Sequence, residues 1–440
     1  TIGSMADLEA ASLADVRQWF TDNYGPNNVV LALAGDIDAA TARPMVERWF
    51  GDIPRGPDVR EVAAAPVTLA ETAREQMTDQ VPVTRVIRAW TGPELTSPDA
   101  VPLAVGLHVL GGLASSRLDN VLVRGEQLAV SVSANAQQHE QINFLQAQMD
   151  VKPGVDAAVA EKRFNEVIAQ LVAEGPTQDE LTRAATQFVS SQIGALELVG
   201  GFSGKGATLA EGLLYAGDPA NYKKQLEQMA ALTPEQVRAA MQRWLKRPAF
   251  TLAVVPGERT EDGATMGGWG DEGSVPAPEP DAKAPVAEIE RSAPRAAPPV
   301  APVGDLAFPA IEHAKLSNGI PVTLARRTAI PKLSLALEFD AGVAADGATK
   351  AGTQSLMMDM LEEGTTSRSA IEIAEEQERL GASISAGVGT DVSSVSLTAL
   401  TANLAPSLAL MADVVRNPAF AAEDVARVRD QRLAEIAQQL

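Results

Sequence analysis

Cysteine is absent from the 440 residues and histidine occurs only three times. No stretch approaches the roughly 18 consecutive apolar residues that a membrane-spanning helix needs. Without cysteine there is neither a disulfide framework nor thiolate chemistry, an absence compatible with cytoplasm and periplasm alike. Basic residues are also scarce: 36 Lys and Arg against 57 Asp and Glu leave a formal charge of −21. That balance counts against nucleic acid and anionic lipid as partners, because both attract basic surfaces. Neutral or basic peptides fit it better. Thr1 to Ala11 holds neither the basic stretch nor the apolar run of a signal peptide. The chain opens without Met, almost directly into a helix signal, and stops inside a helical pattern at Leu440, so further natural sequence is expected before Thr1 and after Leu440.

The length calls for more than one core. From Gly257 to Asp305 the composition shifts to Pro, Ala, Gly, Glu and Asp, which cannot bury enough apolar area to offset the entropy of ordering and reads as an extended linker. Two folded regions flank it, 1 to 256 and 306 to 440. In the first, Ser12 with Asp15 three residues on signals a helix start, and Leu13, Val16, Trp19 and Phe20 share its face. Val29 to Ala34, an apolar run closed by Gly35-Asp36, reads as a buried strand. Ala42, Met45, Val46, Trp49 and Phe50 give another helix face. Val155 to Ala173, Thr177 to Ser191 and the stretch after Thr233-Pro-Glu-Gln read as helices, and Phe250 to Pro256 as a strand.

In the second region, Lys315 to Leu324 reads as two strands around the Asn318-Gly319 turn. Leu333 to Phe339 alternates as a strand does. Helices are expected over Gly352 to Leu361 and Ala370 to Leu380, strands over Ser383 to Gly387 and Val392 to Leu400, and a last helix from Glu423. Elements alternate without a regular strand-helix-strand cadence, which favours an α+β layer architecture. Glu126 to Asn135 and Glu378 to Gly387 echo each other, each after a helix and before another strand, as repeated units of one fold would.

Several motifs point to one family. Leu316-Ser-Asn-Gly-Ile-Pro-Val, Asp340-Ala-Gly-Val and Lys350-Ala-Gly make 315 to 440 resemble the N-terminal domain of an M16 (pitrilysin and processing-peptidase) zinc metallopeptidase unit. The opening from Ala11 to Asp38, Gly111-Gly-Leu-Ala-Ser-Ser-Arg-Leu followed by Gln127-Leu-Ala, and the Thr233 helix make 1 to 256 resemble the companion C-terminal domain. The resemblance implies α/β-roll domains of the LuxS/processing-peptidase type, each a mostly antiparallel sheet with helices packed on one face.

Active members carry His-x-x-Glu-His, two histidines one helical turn apart that bind zinc and a glutamate that readies a water. Here the resemblance places Ser355 and Asp359 at the histidine positions and Met358 at the glutamate. Glu435 falls at the distal ligand position, and one carboxylate beside a serine and an aspartate is not a zinc site. Arg124 lies near the position of a substrate-gripping arginine, but Val130 replaces the accompanying tyrosine.

The pattern implies the middle portion of a bacterial two-half peptidase, non-catalytic by itself. Zinc would belong to the parent protein and none to this chain, with peptides or unfolded polypeptides as substrate. The His-x-x-Glu-His domain would precede Thr1, or an active partner subunit would carry it. A catalytically inactive scaffold or binding subunit is the alternative, and a periplasmic home is implied by the family alone.

Other features carry blander readings. His139-Glu140 fails as a metal pair because Asn143 stands at the second ligand position. His108 reads as a core or sheet-edge histidine rather than a ligand. Gly200 to Gly206 lacks the residues of a phosphate loop. Ser115-Ser116-Arg117 reads as a helix entry rather than a nucleophile, because no base is placed to activate a serine. The pairs Glu362-Glu363 and Glu375-Glu376 read as solvated helix faces.

Overall fold

The structure is a computed structural model that describes residues 5–58, 65–258, 308–348 and 350–439. The expected linker at 257–305 falls almost wholly outside them. In chain order the elements are α1 (Met5–Ala10), α2 (Leu13–Asn23), α3 (Ala39–Phe50), β1 (Ala73–Asp79), β2 (Arg85–Thr91), α4 (Ala100–Leu107), β3 (Ala129–Gln137), β4 (Phe144–Val151), α5 (Ala157–Glu174), α6 (Gln178–Ala195), α7 (Lys205–Ala216), α8 (Asn221–Ala230), α9 (Pro234–Leu245) and β5 (Phe250–Pro256). Then come β6 (Ile311–Lys315), β7 (Pro321–Ala325), β8 (Lys332–Phe339), α10 (Thr353–Asp359), α11 (Ala370–Leu380), β9 (Ser383–Val388), β10 (Ser393–Leu400), α12 (Leu404–Arg416) and α13 (Ala422–Gln439). Two compact bodies group them.

The smaller body holds α1 to α3 and the β6–β7 hairpin. Ser12 and Asp15 form a reciprocal capping box at the start of α2, as the sequence predicts. The hairpin pairs Lys315 with Pro321, and Gly319 supplies the positive φ of +95° that its turn requires. One expectation fails. Val29 to Ala34 belongs to no strand: Val29, Leu31 and Leu33 are half or more exposed. The run has strand propensity, but a strand exists only through a paired neighbour, and no described strand runs beside it.

The larger body contains two cores. The first lies on one face of a five-stranded sheet ordered β1-β5-β2-β4-β3, antiparallel except for β1 beside β5. Val86 and Trp90 on β2 and Leu145, Ala147 and Met149 on β4 alternate onto that face. Phe164 and Leu171 of α5 and Val237 and Met241 of α9 cover it. The second core fills the face of β8-β10-β9, where Val395, Leu397 and Ala399 meet Ile373 of α11 and Leu410, Met411 and Val414 of α12. The fold is α+β, with mostly antiparallel sheets. The two echoing segments occupy like places: β3 and β9 are each an edge strand, entered from a helix and paired antiparallel to the next strand.

Two five-to-seven-residue π-helical segments, His108–Gly112 and Asp119–Gly125, interrupt the path from α4 to β3. Gly111 lets the first come close to β3, since a Cβ there would lie 2.6 Å from the backbone nitrogen of Ala134.

Candidate functional site

Helix α10 starts from Gly352, whose φ of +92° reverses the chain, and Asp346 caps it by accepting from the N–H groups of Gly352 (2.7 Å) and Gln354 (3.0 Å). Ser355, Met358 and Asp359 sit at i, i+3 and i+4 and so share one side of the helix. Met358 is 2% exposed and belongs to the second core. The Asp359 carboxylate lies 3.5 Å from the Arg432 guanidinium on α13, a pair left partly open to solvent. Glu435 lies one turn farther along α13, and its side chain is outside the described residues. A hydroxyl, a buried thioether and a carboxylate already facing a cation do not fit zinc, which takes deprotonated N, S and O donors in tetrahedral array. Among the described residues no group of three or more His, Cys, Asp or Glu is placed to hold a metal ion.

Arg124 lies on the second π-helical segment and pairs with Asp119 at 2.7 Å, while Val130 stands on β3, 41% exposed. Arg124 lines two neighbouring clefts. One, of about 390 Å3, also presents His108, Gln187, Gln377 and Ser383. The other, of about 640 Å3, also presents Thr366, Arg368 and Arg427. Such mixed hydrogen-bonding walls can hold polar chain segments; they do not by themselves assemble a nucleophile and a base. His108 packs against Phe188 with ring centroids 4.7 Å apart, and burial pushes its pKa below the ordinary imidazole value.

His139 is exposed in a turn rather than a helix, and its N–H donates to Asn143 Oδ1 at 3.0 Å. His313 lies on the exposed strand β6. Gly200 to Gly204 form turns leading into α7. Ser116 does stand at a helix entry, but Ser115 is drawn elsewhere: it is buried and hydrogen-bonded to Glu378. The acidic pairs are not simply solvated. Glu363 pairs with Arg427 of α13, Glu376 with Arg368 just before α11, and Glu375 with Arg379 one turn farther along α11 itself. Sequence reading missed the pairing of Arg183 with Glu378; an arginine on the otherwise apolar side of a helix that also carries Leu181 and Ala184 is the one signal available.

A family model described as "Peptidase M16 inactive domain" matches residues 10–188, and one described as "Insulinase (Peptidase family M16)" matches residues 322–439. The uncharacterized zinc protease YmxG of Bacillus subtilis is 26% identical over 199 residues, covering 44% of this chain and 47% of that protein. An uncharacterized zinc protease of Rickettsia felis is 28% identical over 123 residues, covering 28% and 30%. The matches thus span about half or less of the length of these relatives. Among solved structures, a peptidase M16 inactive domain from Pseudomonas fluorescens superimposes with a TM-score of 0.47 at 21% identity, covering 57% of this chain and 59% of that one. The periplasmic protease PqqL from Escherichia coli does so with a TM-score of 0.45 at 17% identity, covering 98% and 50%.

Proposed function

Because the chain belongs to the M16 peptidase family and carries its inactive domain, we propose that it is the non-catalytic middle portion of a two-half zinc metalloendopeptidase. Residues 1 to 256 serve as the companion domain of the first half, 257 to 305 as the linker, and 306 to 440 as the opening domain of the second half.

The observation that carries this reading is helix α10. Where active members hold two imidazoles and a general base, this helix puts a core methionine and an aspartate facing Arg432. The zinc of the parent protein, whose chemistry is to activate water for peptide hydrolysis, is held by a domain outside this chain. This chain's own contribution is a wall of the peptide chamber. The side of the five-stranded sheet opposite its helices supports that role: it carries Ser133, Asn135, Gln146 and Gln148, neutral groups that can hydrogen-bond any unfolded peptide. The acidic balance of the chain favours basic peptides over acidic ones. A periplasmic site of action is part of the proposal.

The test is reconstitution with a His-x-x-Glu-His domain. The chain is expected to raise that domain's cleavage of an unfolded, quenched peptide, with zinc remaining on the partner. Binding to the partner without any change in its turnover would mean a scaffold instead.

A further inference from the structure

Arg183 on α6 and Glu378 on α11 lie in the two stretches that the family models match separately, and the two helices pack along each other. At the centre of their contact Arg183 and Glu378 pair at 2.7 Å, each side chain 4% exposed. Two charges tolerate such burial only where further hydrogen bonds complete them. Ser115 does this from a third element: its N–H donates to Glu378 Oε1 at 3.0 Å and its hydroxyl to Glu378 Oε2 at 2.5 Å. Arg183 Nε donates to Asp179 at 2.9 Å.

Around this centre runs a more open rim. Arg379 grips Asp179 through two hydrogen bonds of 2.7 and 3.0 Å and also reaches Glu375. Below it the backbones meet: the Ser190 hydroxyl donates to the carbonyl of Gly381 at 2.8 Å, and Lys332 donates to the carbonyl of Ser190. Arg183 also reaches Glu375, one turn earlier on α11, at 3.6 Å. Sliding α11 by one turn, about 5.4 Å, would bring Glu375 toward Arg183 but would part Glu378 from both Arg183 and the Ser115 donors, leaving that buried carboxylate uncompensated.

We propose that this face is a self-sufficient docking surface by which the first M16 segment recognises the second, the buried pair setting the register. Its partner is a helix bearing a central carboxylate flanked by a glutamate and an arginine, as Glu375, Glu378 and Arg379 are arranged here. The two segments then stay together without a continuous chain between them.

The experiment takes the full chain with a site-specific protease sequence inserted after Glu258, folds it, cuts it, and follows the two fragments by gel filtration and dilution. They are expected to co-elute at 0.15 M and at 1 M salt, since a buried pair is little screened. R183M, which strands Glu378, should weaken association at least a hundredfold. R183M/E378M, which removes both charges, should recover to within about tenfold of the parent and so separate loss of the pair from loss of the fold. Parent fragments that part on cutting, an R183M variant that associates as well as the parent, or a double variant as weak as R183M would each overturn the proposal.

Discussion

Arg432 of α13 sets its guanidinium 3.5 Å from the carboxylate of Asp359 on α10, the position that the proposed reading aligns with a metal ligand of active M16 members. Both side chains are more than a third exposed, so the pair contributes little to stability. Its significance is positional: a guanidinium cation already faces this carboxylate.

Met358 and Asp359, neighbours on α10, should therefore differ sharply on substitution. Met358→Ala removes a side chain that is 2% exposed and should cost about 2–5 kcal/mol in urea unfolding. Asp359→Ala, on the same helix, should change stability by less than about 1 kcal/mol. Equal costs would mean that α10 does not face the second core as described.

Acid should weaken the second core through Asp413. Its carboxyl accepts from Asn417, Thr365, Ser367 and Arg368, and these bonds hold its pKa at about 2 instead of 3.8. A depressed folded pKa stabilises the native state above the unfolded value, and that contribution fades as pH falls from about 4 to about 2. Asp413→Asn should lower Tm at pH 7, and the gap from the parent should close across that window. A gap that persists at pH 2 would contradict the assignment.

What the sequence disclosed depended on range. Ser12 with Asp15, Thr177 with Glu180 and Thr233 with Gln236 are separated by three residues, and all three form the capping boxes their spacing suggests. Strand β1, Ala-Arg-Glu-Gln-Met-Thr-Asp, was invisible because its polar sequence becomes a strand only beside β5, far along the chain. Val29 to Ala34 erred the other way, with a strand's composition and no strand beside it. On the site side, the shared side of Ser355, Met358 and Asp359 was legible because a helix converts spacing into a common face. Arg432 and the Arg183–Glu378 pair were not, since nothing local announces which distant helix will supply the opposite charge.

Ser115 should matter through its hydrogen bonds rather than as a nucleophile. Ser115→Ala removes the hydroxyl that serves Glu378 and leaves the buried carboxylate short of a donor, at a cost of about 1–3 kcal/mol. Chemical denaturation measures this directly, and an unchanged midpoint would remove Ser115 from the network.

Gly381 ends α11 with a φ of +59°, and a Cβ there would meet Thr186 Cγ2 at 3.0 Å and Ser190 Cβ at 3.2 Å. Gly381→Ala combines left-handed backbone strain with crowding against α6 and should cost at least about 1–2 kcal/mol. Gly319→Ala, with φ at +95° and only Lys315 Cε nearby at 3.8 Å, carries strain without crowding and should cost less. Tm values for the two variants decide the order.

The most direct measurement of the central claim is the zinc content of the purified chain, taken by atomic emission after dialysis against micromolar zinc, together with its hydrolysis of a quenched peptide. The account predicts far less than one zinc per chain and no turnover above buffer. One zinc per chain accompanied by peptide cleavage, both abolished by Asp359→Ala, would contradict it.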